Sequence, residues 1–236
     1  MKIGFIAVLG TASLVASADA GILGFAAFSR TASNGNKVID LVAVTERASD
    51  RLLNVFNTNT SSVFIQQAGT ATRGFKPDAA SSNRSNIVDS FCTIGVEGGA
   101  PYYGEYYASG ATGADGGFST GWTTVGTAIP ANAGWFLSPP TLPDNVAESL
   151  ANFSGTRVNS SAAAGAGTVG VWVGHWVFAG STTSAVISMT AAVKDGVTGQ
   201  TVNGSATGFD QLAAVPAPGA LALLSIAGVA SRRRRA

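Results

Sequence analysis

Apolar and polar positions alternate along most of the chain in short runs broken by Gly, Asn, Ser and Pro. ILGFAAFS (22–29), VIDLVAVTE (38–46), LLNVFNT (52–58), SVFIQQ (62–67), NIVDSFCTIGV (86–96), TVGVWVGHWVFAG (168–180) and SAVISMTAAV (184–193) are rich in β-branched and aromatic residues. Their pattern and turn-forming flanks predict strands. In the last run Ala185, Ile187, Met189 and Ala191 share one face, while Ser184, Ser188 and Thr190 share the other and Val186 is the exception. One face is expected to be buried and one wet. The runs at 168–180 and 184–193, joined by Ser181, Thr182 and Thr183, predict a long hairpin. NVAESLANF (145–153) is the one short helix expected in the body. The pattern lapses between about 97 and 165, where EGGAPYYGEYYASGATGADGGFSTGW and IPANAGWFLSPPTLPDN hold most of the body's Gly and Pro and predict long loops. The expected fold class is all-β, an antiparallel β-sandwich that is jelly-roll-like, with long Gly/Pro-rich loops and no fixed internal repeat.

The two ends follow a different pattern. Lys2 precedes the apolar run IGFIAVLGTASLVA, and Ala18 and Ala20 put small residues at the −3 and −1 positions of a signal peptidase site, so residues 1–20 predict a signal peptide and Gly21 the mature start. At the other end Pro216 and Pro218 precede the uncharged run GALALLSIAGVA, after which come Arg232, Arg233, Arg234 and Arg235. As a helix that run would cover about 18 Å, against about 30 Å of bilayer hydrocarbon. It predicts a short, marginal span whose arginines stay on the cytoplasmic side. The expected organisation is a signal peptide at 1–20, a β-sandwich domain at 21–212 and a sorting and anchoring segment at 213–236.

This three-part tail resembles the PEP-CTERM sorting signal of exported bacterial proteins. Ala217 stands where that family usually carries Glu. The resemblance implies recognition near Pro216, Ala217 and Pro218 by an exosortase, a membrane-embedded protease, and so an exported protein at the cell surface or in the extracellular matrix. Its expected partners are signal peptidase and the exosortase-type protease, with transient or permanent membrane contact through the tail. The order DRLLNVFN, VFIQQ, VDSFCTIGV, a Gly-rich stretch and GWFLSPP is also similar to a group of uncharacterised exported proteins with the same kind of tail. That second likeness implies a shared sandwich domain and transfers no catalytic residue.

Composition changes the picture in two ways. Charged residues are 11% of the chain, against about 25% in typical soluble domains, so the polar surface must come mainly from Ser, Thr and Asn. The net charge of +1 arises from the ends, because the body between Gly21 and Pro218 holds 9 basic and 12 acidic residues. Such a body offers no extended cationic surface for nucleic acid. Cys92 is the single cysteine, which excludes an internal disulfide.

Candidate chemistry is sparse. His175 is the only histidine and sits mid-strand, which excludes a two-histidine zinc site and suits a structural role better than a catalytic base. No phosphate loop occurs, Asp115 lacks the partner ligands of a calcium loop, and Glu97 and Glu105 have no separation fixed by sequence. No catalytic residue, cofactor or metal is expected. Asn59, Asn83, Asn152, Asn159 and Asn203 begin N-x-S/T sequons that a chain this rich in Asn, Ser and Thr produces by chance. The aromatic cluster Tyr102, Tyr103, Tyr106, Tyr107, Trp122 and Trp135 admits two readings: contacts to sugar rings or partner proteins, or anchors that pack loops onto the sandwich. The expected function is a non-enzymatic, exported structural protein; the alternative is a carbohydrate-binding module or adhesin that contacts extracellular polysaccharide, and an extracellular hydrolase ranks third.

Overall fold

Val38, Leu41, Val42, Ala43 and Val44 follow one another with almost no polar interruption, a pattern that only a strand covered on both faces can bury. The computed structural model, which describes residues 21–65, 75, 83–95, 105–110, 113–115, 128–138, 145 and 147–213, shows how that cover is built. Two antiparallel sheets pack face to face. The first, the covered sheet, runs β4 (Phe91–Cys92), β10 (Val169–Phe178), β2 (Lys37–Thr45), β1 (Ile22–Thr31) and β9 (Thr156–Asn159), with β8 (Glu148–Ser149) also pairing with β10. The second, the exposed sheet, runs β12 (Thr201–Asp210), β11 (Val186–Lys194), β3 (Arg51–Thr60), β7 (Ala133–Ser138), β5 (Glu105–Gly110) and β6 (Gly113–Asp115). The all-β, two-sheet expectation is met. The signal peptide, the C-terminal helix and the sorting residues Ala18, Ala20, Pro216, Ala217, Pro218 and 232–235 lie outside the described residues. Among the described residues no helix is long and apolar enough to cross a membrane.

The main core lies between the sheets, where Phe25, Ile39, Leu41, Trp176 and Phe178 meet Leu52, Val55, Trp135, Ile187 and Val193. A second apolar layer covers the far face of the first sheet: Ala26, Phe28, Val42, Val44 and Trp172 pack against Phe91, Leu150, Phe153 and Ala164. Each large side chain so covered stabilises the fold by about 1.5–3 kcal/mol relative to exposure. The cover consists of the crossing segment that ends in β4, a 3-10 turn at Leu150–Asn152 and the short helix α1 (Ala162–Ala166). Gly174 lies beside the bulge in β10, and a Cβ there would meet Trp176 Cζ2 at 2.2 Å. Its bare backbone lets the Trp176 indole lie against its own strand.

Five local expectations are corrected. The runs at 168–180 and 184–193 do not pair as a hairpin, because β10 lies between β2 and β4 while β11 pairs with β12 and β3 in the other sheet. The 179–185 connection is long enough to bridge the roughly 10 Å between packed sheets. Of the run at 86–96, the described residues 86–95 hold two strand residues. Asn86 Oδ1 accepts from the Val88 and Asp89 amides at 2.9 and 3.0 Å, and Ser90 Oγ accepts from the Val177 amide at 2.8 Å, so before β4 side chains replace the ladder, while beyond it the Thr93 and Gly95 amides still donate to the Val173 and Trp172 carbonyls. Residues 61–65 form no strand, although Phe64 is buried and packs on Phe75, Trp176 and Phe178. The helix expected at 145–153 is β8 followed by the 3-10 turn, whose Leu150 amide donates to the Thr168 carbonyl and whose Ala151 amide donates to Ser149 Oγ. The region read as loops contains β5, β6 and β7, and β9, α1 and β12 were not expected at all.

Candidate functional site

Two polar assemblies stand out, and the first encloses His175. In β10 this residue is in register with Asp40 of β2. Its Nδ1 lies 2.6 Å from Asp40 Oδ1, and its Nε2 donates to the Asn86 carbonyl at 3.0 Å. A carbonyl only accepts, so Nε2 carries its hydrogen. Arg30 Nη1 pairs with Asp40 Oδ2 at 2.5 Å, and Arg30 Nη2 donates to the Arg84 carbonyl. The Arg84 guanidinium pairs with Glu148 and lies 4.2 Å from the Phe153 ring centre and 5.1 Å from that of Trp172. Phe91 stacks on the imidazole at 4.9 Å, and both Asp40 and His175 are fully buried. Neither ring nitrogen is left to take a proton from a substrate. The network fastens the crossing segment to the covered sheet, as a satisfied buried polar cluster does.

The second assembly is the outward face of the exposed sheet. Cross-strand register sets its rows: Arg51, Lys194 and Thr201; then Phe136, Asn54, Ala192 and Asn203; then Phe56, Thr190 and Ser205. Lys194, Thr201, Asn203 and Ser205 are exposed, while Phe56 and Phe136 are half-buried. Thr190 and Ser205 share a hydrogen bond at 2.9 Å. At the end of this face a groove of about 910 Å³ opens between the start of β3 and the turn from β11 to β12. Asp195 in that turn is buried and already occupied: Oδ1 accepts from the Val197 and Thr198 amides at 2.6 and 2.7 Å, and Oδ2 pairs with Arg47 at 3.2 Å. The Thr198 amide chiefly holds its carboxyl below the usual range against an opposing effect of burial, with help from the Val197 amide, the Thr198 hydroxyl and Arg47.

The expected aromatic residues are placed unevenly. Trp135 is not in a loop and does not reach the surface; it sits in β7, fully buried, with Nε1 donating to the Thr93 carbonyl at 3.0 Å and its ring edge-on to Trp176. Tyr106 and Tyr107 lie in β5, in register with Leu137 and Phe136. Tyr102, Tyr103, Trp122 and Glu97 lie outside the described residues. Cys92 is buried, and burial pushes its thiol well above the ordinary value, which removes it from nucleophile chemistry at neutral pH. Among the described residues no group of three or more His, Cys, Asp or Glu is placed to hold a metal ion. The sequence reading missed Arg51, Lys194, Phe56 and Phe136, because their importance depends on which strands pair. No protein-family model, curated protein or solved structure matches the chain.

Proposed function

We propose that the chain is an exported, non-enzymatic protein of the cell surface or extracellular matrix, matured by removal of both ends. The observation that carries this reading is the pair of sorting patterns around one domain: the signal-like residues 1–20 with Ala18 and Ala20, and the tail of Pro216, Ala217, Pro218, a short apolar run and four arginines. Signal peptidase and an exosortase-type protease are its processing partners in this account. The body, jelly-roll-like in its crossings between sheets, is the part that remains to act outside the cell.

A second reading, a carbohydrate-binding module or adhesin, is favoured by the exposed sheet's outward face, where half-buried Phe56 and Phe136 stand among Asn, Ser and Thr. Aromatic faces beside hydroxyls and amides suit sugar rings. The test of the processing reading is to replace Arg232, Arg233, Arg234 and Arg235 with Ser in a host that has an exosortase. The variant is expected to accumulate unprocessed while its far-UV circular dichroism matches wild type. Unchanged processing would remove the stop-transfer role of the arginines.

A further inference from the structure

We infer that β12 is an assembly edge, where a second copy of this chain adds its own β12 antiparallel and joins the two exposed sheets into one. The inference goes beyond the proposed function and needs only the folded body. It begins from the ends of the sheets. The covered sheet stops at β4 and β9, of two and four residues, and the Cys92 amide of β4 already donates to the Phe75 carbonyl. The exposed sheet stops at β6, of three residues, and at β12, of ten. Short edge strands and charged or proline-bearing edges are the usual protection against strand addition. β12 lacks both: from Thr201 to Phe209 it holds no charged residue and no proline, and its bulge falls beyond Ser205, between Ala206 and Phe209.

The register shows which groups this edge presents. The Asp195 amide donates to the Gln200 carbonyl at 2.8 Å, so in the antiparallel ladder Val193 with Val202, and Ala191 with Gly204, are the hydrogen-bonded pairs. Thr201, Asn203 and Ser205 therefore turn their N–H and C=O groups away from β11. Among the described residues no hydrogen bond reaches these main-chain groups, and all three residues are exposed. The strand is nonetheless held in place. Ile22 of β1 packs so closely on Gly204 that a Cβ there would meet Ile22 Cγ2 at 2.1 Å, and Asp210 ties the far end to Ser184 and Ala185.

The edge is suited to its own copy. Recognition of a foreign strand draws its specificity from pockets for alternate side chains, whereas the side chains along this edge are short hydroxyls and an amide, and Gly204 has none. With a two-fold axis at Asn203, Thr201 of each copy faces Ser205 of the other and Asn203 faces its equivalent. The same hydroxyl pairing already joins Thr190 to Ser205 across β11 and β12 at 2.9 Å. The row of Arg51, Lys194 and Thr201 then continues into Ser205 and Thr190 of the second copy, so no like charges meet across the junction.

The test is sedimentation equilibrium of the full chain in mild detergent at about 10 and about 200 µM, where mass action favours association at the higher concentration. A species that grows to a dimer and no further is expected. Asn203→Lys and Asn203→Asp each place like charges opposite one another at the axis and are expected to raise the dissociation constant about tenfold or more, with far-UV circular dichroism unchanged. Mixing these two variants is expected to restore a heterodimer, which a contact through the tail or through another edge would not do. Asn203→Pro, which removes only an outward N–H, is expected to weaken the dimer as well. A monomer at both concentrations, growth beyond the dimer, or a mixture no more associated than either variant alone would each overturn the inference. None of these outcomes bears on removal of the ends.

Discussion

Trp135 shows how far a single side chain can depart from what its neighbours in sequence suggest. GWFLSPP is flanked by Gly and Pro and reads as a loop, yet the register of β7 on β3 sets Trp135 beside Val55 between the sheets. What decides its direction is the partner strand, which lies 80 residues earlier and leaves no local trace. Its indole fills core volume and bonds to the Thr93 carbonyl. Trp135→Ala is therefore expected to destabilise the protein by about 3–5 kcal/mol, measured by urea unfolding, whereas a ligand-contacting tryptophan would leave stability within about 0.5 kcal/mol of wild type. His175 was more legible, since a histidine in the middle of an apolar strand needs buried partners. Those partners, Asp40 and the Asn86 carbonyl, could not be read from spacing.

Among elements, the long apolar runs became strands in β1, β2, β3, β10 and β11, because hydrophobic periodicity is a local property. β12 was missed for the converse reason: of TVNGSATGFD only Ala206 and Phe209 are buried, and its pairing with β11 does the rest. Asp210 at the end of β12 secures that pairing. It accepts from the Ala185 and Leu212 amides at 2.9 and 3.0 Å and from Ser184 Oγ at 2.8 Å. Burial works to raise its pKa, but the Ala185 and Leu212 amides and the Ser184 hydroxyl outweigh it, so the carboxyl lies below its ordinary value. A carboxyl lowered in the folded state contributes stability that is present above its unfolded value of about 3.9 and is lost as pH falls through the folded value. Asp210→Asn is expected to lower the melting temperature at pH 7 and to show a smaller further fall than wild type between pH 5 and pH 2. Parallel melting curves for the two proteins across that range would remove Asp210 from the acid response.

For the whole molecule, the asymmetry between the sheets links fold to proposed function. One sheet carries its own apolar cover on the far side, fastened by the His175, Asp40, Arg30 and Arg84 network, and so both of its faces are occupied by the protein itself. The other offers a polar face ending in a groove lined by Arg51, Lys194 and Asp195. Sequence could anticipate a sandwich, but not which face would stay open, since that depends on segments crossing from distant parts of the chain. In the proposed function this sandwich is delivered outside the cell and loses both ends on the way. Intact mass of the protein recovered from the surface or medium fraction of its native host tests it most directly. The expected species begins at Gly21 and ends near Pro216, with or without a group attached there; a species that retains Met1, or all of Arg232, Arg233, Arg234 and Arg235, would contradict delivery with loss of both ends.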